Sequence, residues 1–324
     1  MQRKKIYIIG VGGIGSRHLQ ALKAVKSPLE ITAVDRSEES LCVAKDRFEA
    51  MPEGTVLHQI EYRANIPKGE KVAIAIIATT SSVRAALTKE LLEKSEVKYL
   101  ILEKLLFQKK NDYDRVGGLL ESRKVKTWVN CNMRMVPFYR ALKKEFQGQK
   151  ITYILHGNQS GLLTDLTHHL DFIMFLTGAK NFSVRTGMLD KKTKASKRKG
   201  HLELTGTLHA EFDDGSVGLF RCDTAGATPK IIEILSHDRR YIIREPENKA
   251  FVSLSPEWQW EEVSATIPYQ SQMTTLLVEG LLAKGICTLP SYEEASQSHL
   301  QALEPLRKFL NSISSKKYTS YPFT

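Results

Sequence analysis

Through the first 130 residues, short apolar runs alternate with segments of helical spacing. Tyr7 to Ile9 is apolar, and residues 16–25 continue with helical character. Leu29 to Val34 forms a second run that ends at Asp35, and residues 41–51 read as another helix. Residues 72–78 are continuously apolar, the pattern of a strand buried on both faces of a parallel sheet. A helix over 82–94, a buried strand over 99–102, a helix over 112–123 and a short strand over 126–129 complete the series. Such alternation predicts a doubly wound parallel sheet with right-handed crossovers.

Beyond residue 130 the pattern changes. Residues 136–146 are amphipathic, 151–156 read as a strand, and 163–177 as a long, largely apolar helix. Period-two alternation or β-branched enrichment marks strands at 202–212, 217–223, 231–235 and 240–244. A last helix over 291–311 precedes an irregular tail. The expected class is α/β. A domain over 1–129 carries the parallel sheet, and an α+β domain over 130–324 carries a mostly antiparallel open sheet with helices on one face. The second domain is expected to bind substrate and to mediate self-association.

The first apolar run ends in Gly10-Val11-Gly12-Gly13-Ile14-Gly15, spaced G-x-G-x-x-G. Gly10 permits a tight strand-to-helix turn, Gly12 lets backbone approach a pyrophosphate, and Gly15 lets the helix pack close to the strand. The helix N-terminus, with Gly13 and Ile14, offers amides and positive dipole to the anion. Asp35, at the end of the second run and twenty residues past Gly15, completes the Rossmann dinucleotide-binding fingerprint. An acid there accepts hydrogen bonds from the adenosine ribose and favours NAD, whereas Arg36 beside it could recruit the extra phosphate of NADP.

Composition narrows the partners. No apolar run reaches the ~18–20 residues of a membrane span, and the basic N-terminus lacks the apolar core of a signal peptide. A cytoplasmic protein is expected. Cys42, Cys131, Cys222 and Cys287 are scattered without C-x-x-C spacing, as reduced and mostly buried thiols are, and no metal site is expected. The net charge of +11 includes a patch of Lys191, Lys192, Lys194, Lys197, Arg198 and Lys199. No aromatics interleave with it, which argues against nucleic acid. It reads as a solvated loop between strands, or as a funnel for an anionic substrate.

Two places carry candidate chemistry. Glu103 and Lys104 follow the buried strand over 99–102, where ligands of doubly wound sheets bind. A lysine near an oxidised nicotinamide loses its proton more readily than a free one, which suits proton transfer; the alternative is a surface lysine after a strand. The second place is Thr164-Asp165-Leu166-Thr167-His168-His169-Leu170-Asp171, at the head of the long helix. Helical spacing brings Asp165 next to both His168 and His169, and His168 next to Asp171. A carboxylate beside an imidazole fixes its tautomer and raises its basicity. The alternative is a capping aspartate with core histidines. Adjacent histidines do not face one metal.

Several of these pieces together resemble the glucose–fructose oxidoreductase / inositol dehydrogenase (Gfo/Idh/MocA) family. The opening Gly10-Val11-Gly12-Gly13-Ile14-Gly15-Ser16-Arg17-His18 is similar to that of the family. Glu103-Lys104 stands where the family has Glu-Lys-Pro with a catalytic lysine, and Asn132-Met133-Arg134-Met135-Val136-Pro137 is similar to its N-x-R-F-x-P segment. Leu289-Pro290-Ser291-Tyr292-Glu293-Glu294-Ala295 fits as well, so the resemblance spans nearly the whole chain. Leu105 replaces the proline, which commonly follows a cis bond, so the backbone that aims Lys104 is expected to differ. Thr79-Thr80 and Arg84 replace the usual Thr-Pro and histidine. The spacing from Asp165 to Asp171, and the Tyr-Pro-Phe-Thr ending, are similar to a shorter branch acting in surface-sugar and nonulosonate biosynthesis. In that register His168 is the motif histidine, and counting from Asp165 in the commoner register gives His169.

The resemblance implies an NAD(P)-dependent oxidoreductase acting on a secondary alcohol of a sugar, sugar acid or nucleotide sugar, with NAD favoured. Lys104, His168, Asp165 and His169 are its catalytic candidates. Gly10, Gly12, Gly13, Ile14, Gly15, Asp35, Arg36, Ala78, Thr79, Thr80, Glu103, Asn132 and Arg134 are its cofactor candidates. The nicotinamide is expected between the strand end bearing Lys104 and the helix bearing His168. Arg134, Arg84 and the lysine patch make anionic substrates attractive. A homodimer or homotetramer built on the second sheet is expected. The rival readings are a non-catalytic dinucleotide sensor of the same fold and a C=C or C=N reductase of biliverdin-reductase type.

Overall fold

The computed structural model describes residues 2–158, 161–198 and 200–323. They divide into two compact units, one made of the chain up to Asn130 plus Pro268–Glu293, the other of Cys131–Ile267 plus Glu294 onward. Pro268–Glu293, read from sequence as part of the second domain, therefore packs with the first.

The first unit runs β1 (Lys4–Ile9), α1 (Gly13–Leu22), β2 (Leu29–Val34), α2 (Glu38–Glu49), β3 (Gln59–Arg63), β4 (Glu70–Ile77), α3 (Ser81–Lys94), β5 (Ser95–Leu102), α4 (Lys110–Ser122) and β6 (Lys126–Val129). Its sheet has the order β3-β2-β1-β4-β5-β6 with every pair parallel, the Rossmann arrangement. The central strands are almost sealed: Ile6, Ile8, Ile74, Ile76, Leu100 and Ile101 are all fully buried. Hydrogen bonding continues one residue past several strands. Gly10 donates to Val34, Ala78 to Ile9, Glu103 to Ile77 and Asn130 to Leu102, at 2.8–3.1 Å. The sheet thereby lines up Gly10, Ala78, Glu103 and Asn130 along one end. The strand β3 escapes the hydrophobic pattern because it is a half-exposed edge with charged positions.

The second unit opens with a 3₁₀ turn (Asn132–Met135) and continues with α5 (Pro137–Phe146), β7 (Thr152–His156), α6 (Leu162–Thr177), β8 (Phe182–Arg185), β9 (Leu189–Ala195), β10 (Leu202–Phe212), β11 (Val217–Cys222), β12 (Ile231–Leu235), β13 (Arg239–Arg244), β14 (Lys249–Leu254) and β15 (Trp260–Ser264). The sheet order is β15-β14-β13-β12-β7-β11-β10-β8, with β9 also on β10. Among the described strands of this second sheet only the β7–β11 pair is parallel.

Strand alternation gives this sheet two unlike faces. Leu208, Phe220, Leu155, Ile232, Ile243 and Ala250 are register partners in turn, and all are buried. The neighbouring row of the other face, Leu219, Ile154, Glu233, Ile242 and Phe251, is half-exposed throughout. The helix α6 lies against β10 and β11, and it ends at Gly178 in the left-handed conformation.

The basic patch differs from expectation. Lys191, Lys192 and Lys194 lie on the exposed strand β9, which pairs with β10, and the bend after it holds Lys197 and Arg198. Lys199 lies outside the described residues. Lysines suit a strand on the rim of a sheet, where charge discourages further pairing. The cysteines divide evenly instead of being mostly buried: Cys131 and Cys222 are buried, Cys42 is exposed and Cys287 half-buried.

After β15 the chain enters α7 (Gln270–Lys284), which packs on α1 in the first unit, and then α8 (Tyr292–Ile313). Among the described residues no helix is long and apolar enough to cross a membrane.

Candidate active site

The glycine turn has the sterics its spacing requires. Gly10 adopts φ +83°, and a side chain at Gly15 would place its Cβ 1.7 Å from the Gly10 carbonyl oxygen. Neither position tolerates another residue. Gly12 and Gly13 face open space instead, with nothing within 4 Å of an added Cβ, so backbone at the head of α1 is accessible to a ligand. Ile14 is half-buried in the first turn of that helix.

Beside the turn is a cavity of about 280 Å³. Its lining includes Gly10, Asp35, Arg36, Asn65, Thr79 and Leu87. One Asp35 oxygen accepts from the Val11 amide at 2.9 Å and the other from the Ser37 amide at 3.0 Å. The carboxylate thus ties the glycine turn to the end of β2. Arg36 is exposed at the rim, Ala78 and Thr79 are half-buried after β4, and Thr80 precedes α3.

Glu103 is buried within a polar network that the spacing did not disclose. His18 Nε2 lies 2.9 Å from Glu103 Oε1, and His18 Nδ1 lies 2.8 Å from Thr274 Oγ1 on α7. Asn130 Nδ2 donates to the same Glu103 oxygen at 2.5 Å and to Gln270 at 3.2 Å. Burial alone would raise the Glu103 carboxyl, but the His18 and Asn130 contacts and the nearby Arg84 charge hold it at about 2. Glu103 therefore stands as an internal anchor. His18 belongs to the opening motif, whereas Thr274 and Gln270 lie some 250 residues on with no pattern to connect them.

Lys104 is buried, 8% exposed, immediately after that anchor. The Lys104–Leu105 peptide is cis although Leu105 is not proline. Arg84, in the first turn of α3, is not a surface cation for an anionic ligand: it is 1% exposed. It donates to the carbonyls of Leu105, Leu106 and Thr79, at 2.8 Å in the case of Leu106.

In the second unit, α6 presents its titratable residues to separate partners. Asp165 is half-buried, 3.8 Å from Lys230, which lies 2.7 Å from Glu245. Burial works against the Lys230 ammonium, but Glu245 and Asp165 outweigh it and raise its pKa. His168 is half-buried. His169 is 1% exposed, and its Nδ1 lies 2.5 Å from the Tyr153 hydroxyl, as in a core histidine. Asp171 is buried and binds Arg134 through both oxygens, at 2.8 and 2.6 Å. Arg134, expected at the cofactor or at an anionic substrate, is committed to that pair and to Phe175, whose ring centre lies 5.4 Å away. Burial raises the Asp171 carboxyl and Arg134 opposes the rise. Asn132 is half-buried in the preceding turn. Glu203 accepts from the Leu163 and Thr164 amides at 2.9 and 3.1 Å, capping the helix from β10.

Residues 4–131 match the model of an oxidoreductase family with an NAD-binding Rossmann fold, GFO_IDH_MocA. The match covers the Rossmann sheet of the first unit. No curated protein matches it by sequence, but solved structures do by shape. UDP-N-acetylglucosamine 3-dehydrogenase GnnA from Acidithiobacillus ferrooxidans is 16% identical with a TM-score of 0.71, over 96% of this chain and 100% of that one. Levoglucosan dehydrogenase in complex with NADH and levoglucosan is 15% identical with a TM-score of 0.69, over 99% and 100%. An oxidoreductase from Agrobacterium radiobacter in complex with NAD+, L-tartaric acid and magnesium is 16% identical with a TM-score of 0.68, over 93% and 94%. At such identities the likeness is one of fold. The dinucleotide of that Rossmann fold fits the residues present: open backbone at Gly12 and Gly13, a helix N-terminus, and a cavity with Asp35 in its wall.

Proposed function

We propose that the chain is an NAD(H)-dependent dehydrogenase that exchanges a hydride with a secondary alcohol or ketone of a sugar or sugar derivative. The observation that carries this reading is the pairing, in one unit, of an open glycine turn after β1 with a buried lysine after β5, two strands along the same sheet. The sugar substrates of GnnA and of levoglucosan dehydrogenase support it. When bound, the nicotinamide supplies the hydride acceptor.

The protein's own groups take the remaining tasks. Amides at Gly12, Gly13 and Ile14 hold the pyrophosphate, with Ala78, Thr79 and Thr80 supporting the cofactor. Asp35 accepts from ribose hydroxyls and repels a 2′-phosphate, which favours NAD; Arg36 is the residue through which NADP would be accepted. Lys104 shares removal of the hydroxyl proton with His168, and its ammonium stabilises developing alkoxide charge. His168 fits proton removal better than His169, whose imidazole is sealed against Tyr153. Asp165 orients substrate or histidine. The half-exposed row of Leu219, Ile154, Ile242 and Phe251 is the surface on which a homodimer or homotetramer forms. A cytoplasmic setting suits the reduced thiols.

The test is absorbance in the nicotinamide band with NAD+ and a panel of UDP-N-acetylglucosamine, levoglucosan, free hexoses and sugar acids. Reduction by at least one sugar is expected. A protein that binds NADH, seen by fluorescence, yet reduces no cofactor with any of them is a sensor, and the catalytic reading fails.

A further inference from the structure

Lys104 stands between two buried anchors of opposite charge, both in the first unit. Before it, the Glu103 carboxylate is gripped by His18 and Asn130. After it, the carbonyls of Leu105 and Leu106 both face the Arg84 guanidinium, which also reaches Thr79 beyond β4. Further on, the Phe107 carbonyl accepts from the buried Tyr113 hydroxyl at 3.2 Å. A guanidinium suits the middle task because its donors fork in a plane, so a single side chain can bind carbonyls from two loops; a lysine ammonium in its place lacks that fork. Keeping Arg84 at 1% exposure is costly unless its donors are engaged. Its engagement joins the two strand ends, β4 and β5, at the place where Lys104 emerges.

We propose that Arg84 is a positioning residue for Lys104, fixing the turn that aims its ammonium by clamping the carbonyls of Leu105 and Leu106 to that of Thr79. The inference rests on the reading of Lys104 given above, since a clamp matters to catalysis only if the lysine it aims is catalytic. Arg84 touches neither substrate nor reacting atoms in this role. Its effect passes through backbone, so it is local to the turn.

The experiment is competitive acetylation with acetic anhydride. Modification of Lys104 is read by peptide mass spectrometry relative to Lys89 on α3 and Lys98 on β5, in the full chain with and without NAD+. In Arg84→Gln the freed turn opens, and Lys104 acetylation rises about tenfold over those internal references. Arg84→Lys, which can satisfy fewer carbonyls, gives a smaller rise, and NADH affinity by fluorescence stays within about twofold in both. Lys104 labelling equal to that of the parent in either folded variant overturns the proposal. So does a parallel rise at Lys89 and Lys98, which marks general loosening. If Arg84→Gln is insoluble, Arg84→Lys decides alone by the same criteria. No turnover is measured, so failure here is distinct from failure of the catalytic assignment, which the rate of Lys104→Ala decides.

Discussion

The two units hold their candidate chemistry by different means. In the first, the parallel ladder itself aligns Gly10, Ala78, Glu103 and Asn130 at the ends of adjacent strands. In the second, one helix carries Asp165, His168, His169 and Asp171, and remote residues such as Lys230, Tyr153 and Arg134 set the surroundings of three of them. Two buried carboxylates show the consequence. Glu103, with His18 and Asn130 on it and Arg84 nearby, is held at about 2, whereas burial leaves Asp171 above its ordinary value despite Arg134. Position near a motif does not decide what an acid does; the donors around it do.

The largest effect should come from the first unit. Lys104→Ala is expected to lower kcat by about 10³- to 10⁴-fold on the sugar that reduces NAD+, with NADH affinity nearly intact by fluorescence. An active Lys104→Ala enzyme would remove the lysine's role. Next is the buried pair of the second unit. Arg134→Met strands the Asp171 carboxylate and should cost about 3–5 kcal/mol in urea unfolding. A loss near zero would make the pair dispensable and weaken the contrast between the units.

The pH dependence of stability sharpens the contrast further. The folded Glu103 value, about 2, lies below the ordinary 4.5. Its contribution is therefore present above the ordinary value and is lost as pH falls through the folded one. Glu103→Gln should lose up to about 3 kcal/mol at neutral pH and flatten the stability curve between about pH 5 and pH 2. Unchanged curvature would mean that the His18 and Asn130 contacts do not stabilise the anion. The smallest effect belongs to Asp35→Ala, for which the ratio of NAD to NADP affinity should fall about tenfold, roughly 1.4 kcal/mol. A constant ratio would take ribose discrimination away from Asp35.

What the sequence disclosed follows the same division. The glycine turn was readable because its constraint is local: the Gly15 Cβ has no room beside the Gly10 carbonyl whatever else the chain does. The strands β1, β2, β4 and β5 were readable because burial on both faces writes a continuous apolar run. Edge strands such as β3, β9 and β15 carry charged, exposed positions and leave no such trace. Helix α7 was missed because part of what it contributes, Thr274 and Gln270, faces His18 and Asn130 far earlier in the chain. Spacing on α6 placed Asp165, His168 and His169 on neighbouring turns. It could not show that Tyr153 encloses one histidine or that Arg134 claims Asp171, since those partners come from other elements.

The central claim is hydride transfer between a sugar carbon and the dinucleotide, and isotope transfer tests it most directly. The protein is incubated with NAD+ and sugars deuterated at their carbinol carbons, and the cofactor is analysed by mass spectrometry. The account predicts reduced cofactor carrying one deuteron from the sugar, formed by the parent protein and suppressed in Lys104→Ala. Reduced cofactor without deuterium, or none at all while NADH binds normally, would contradict it.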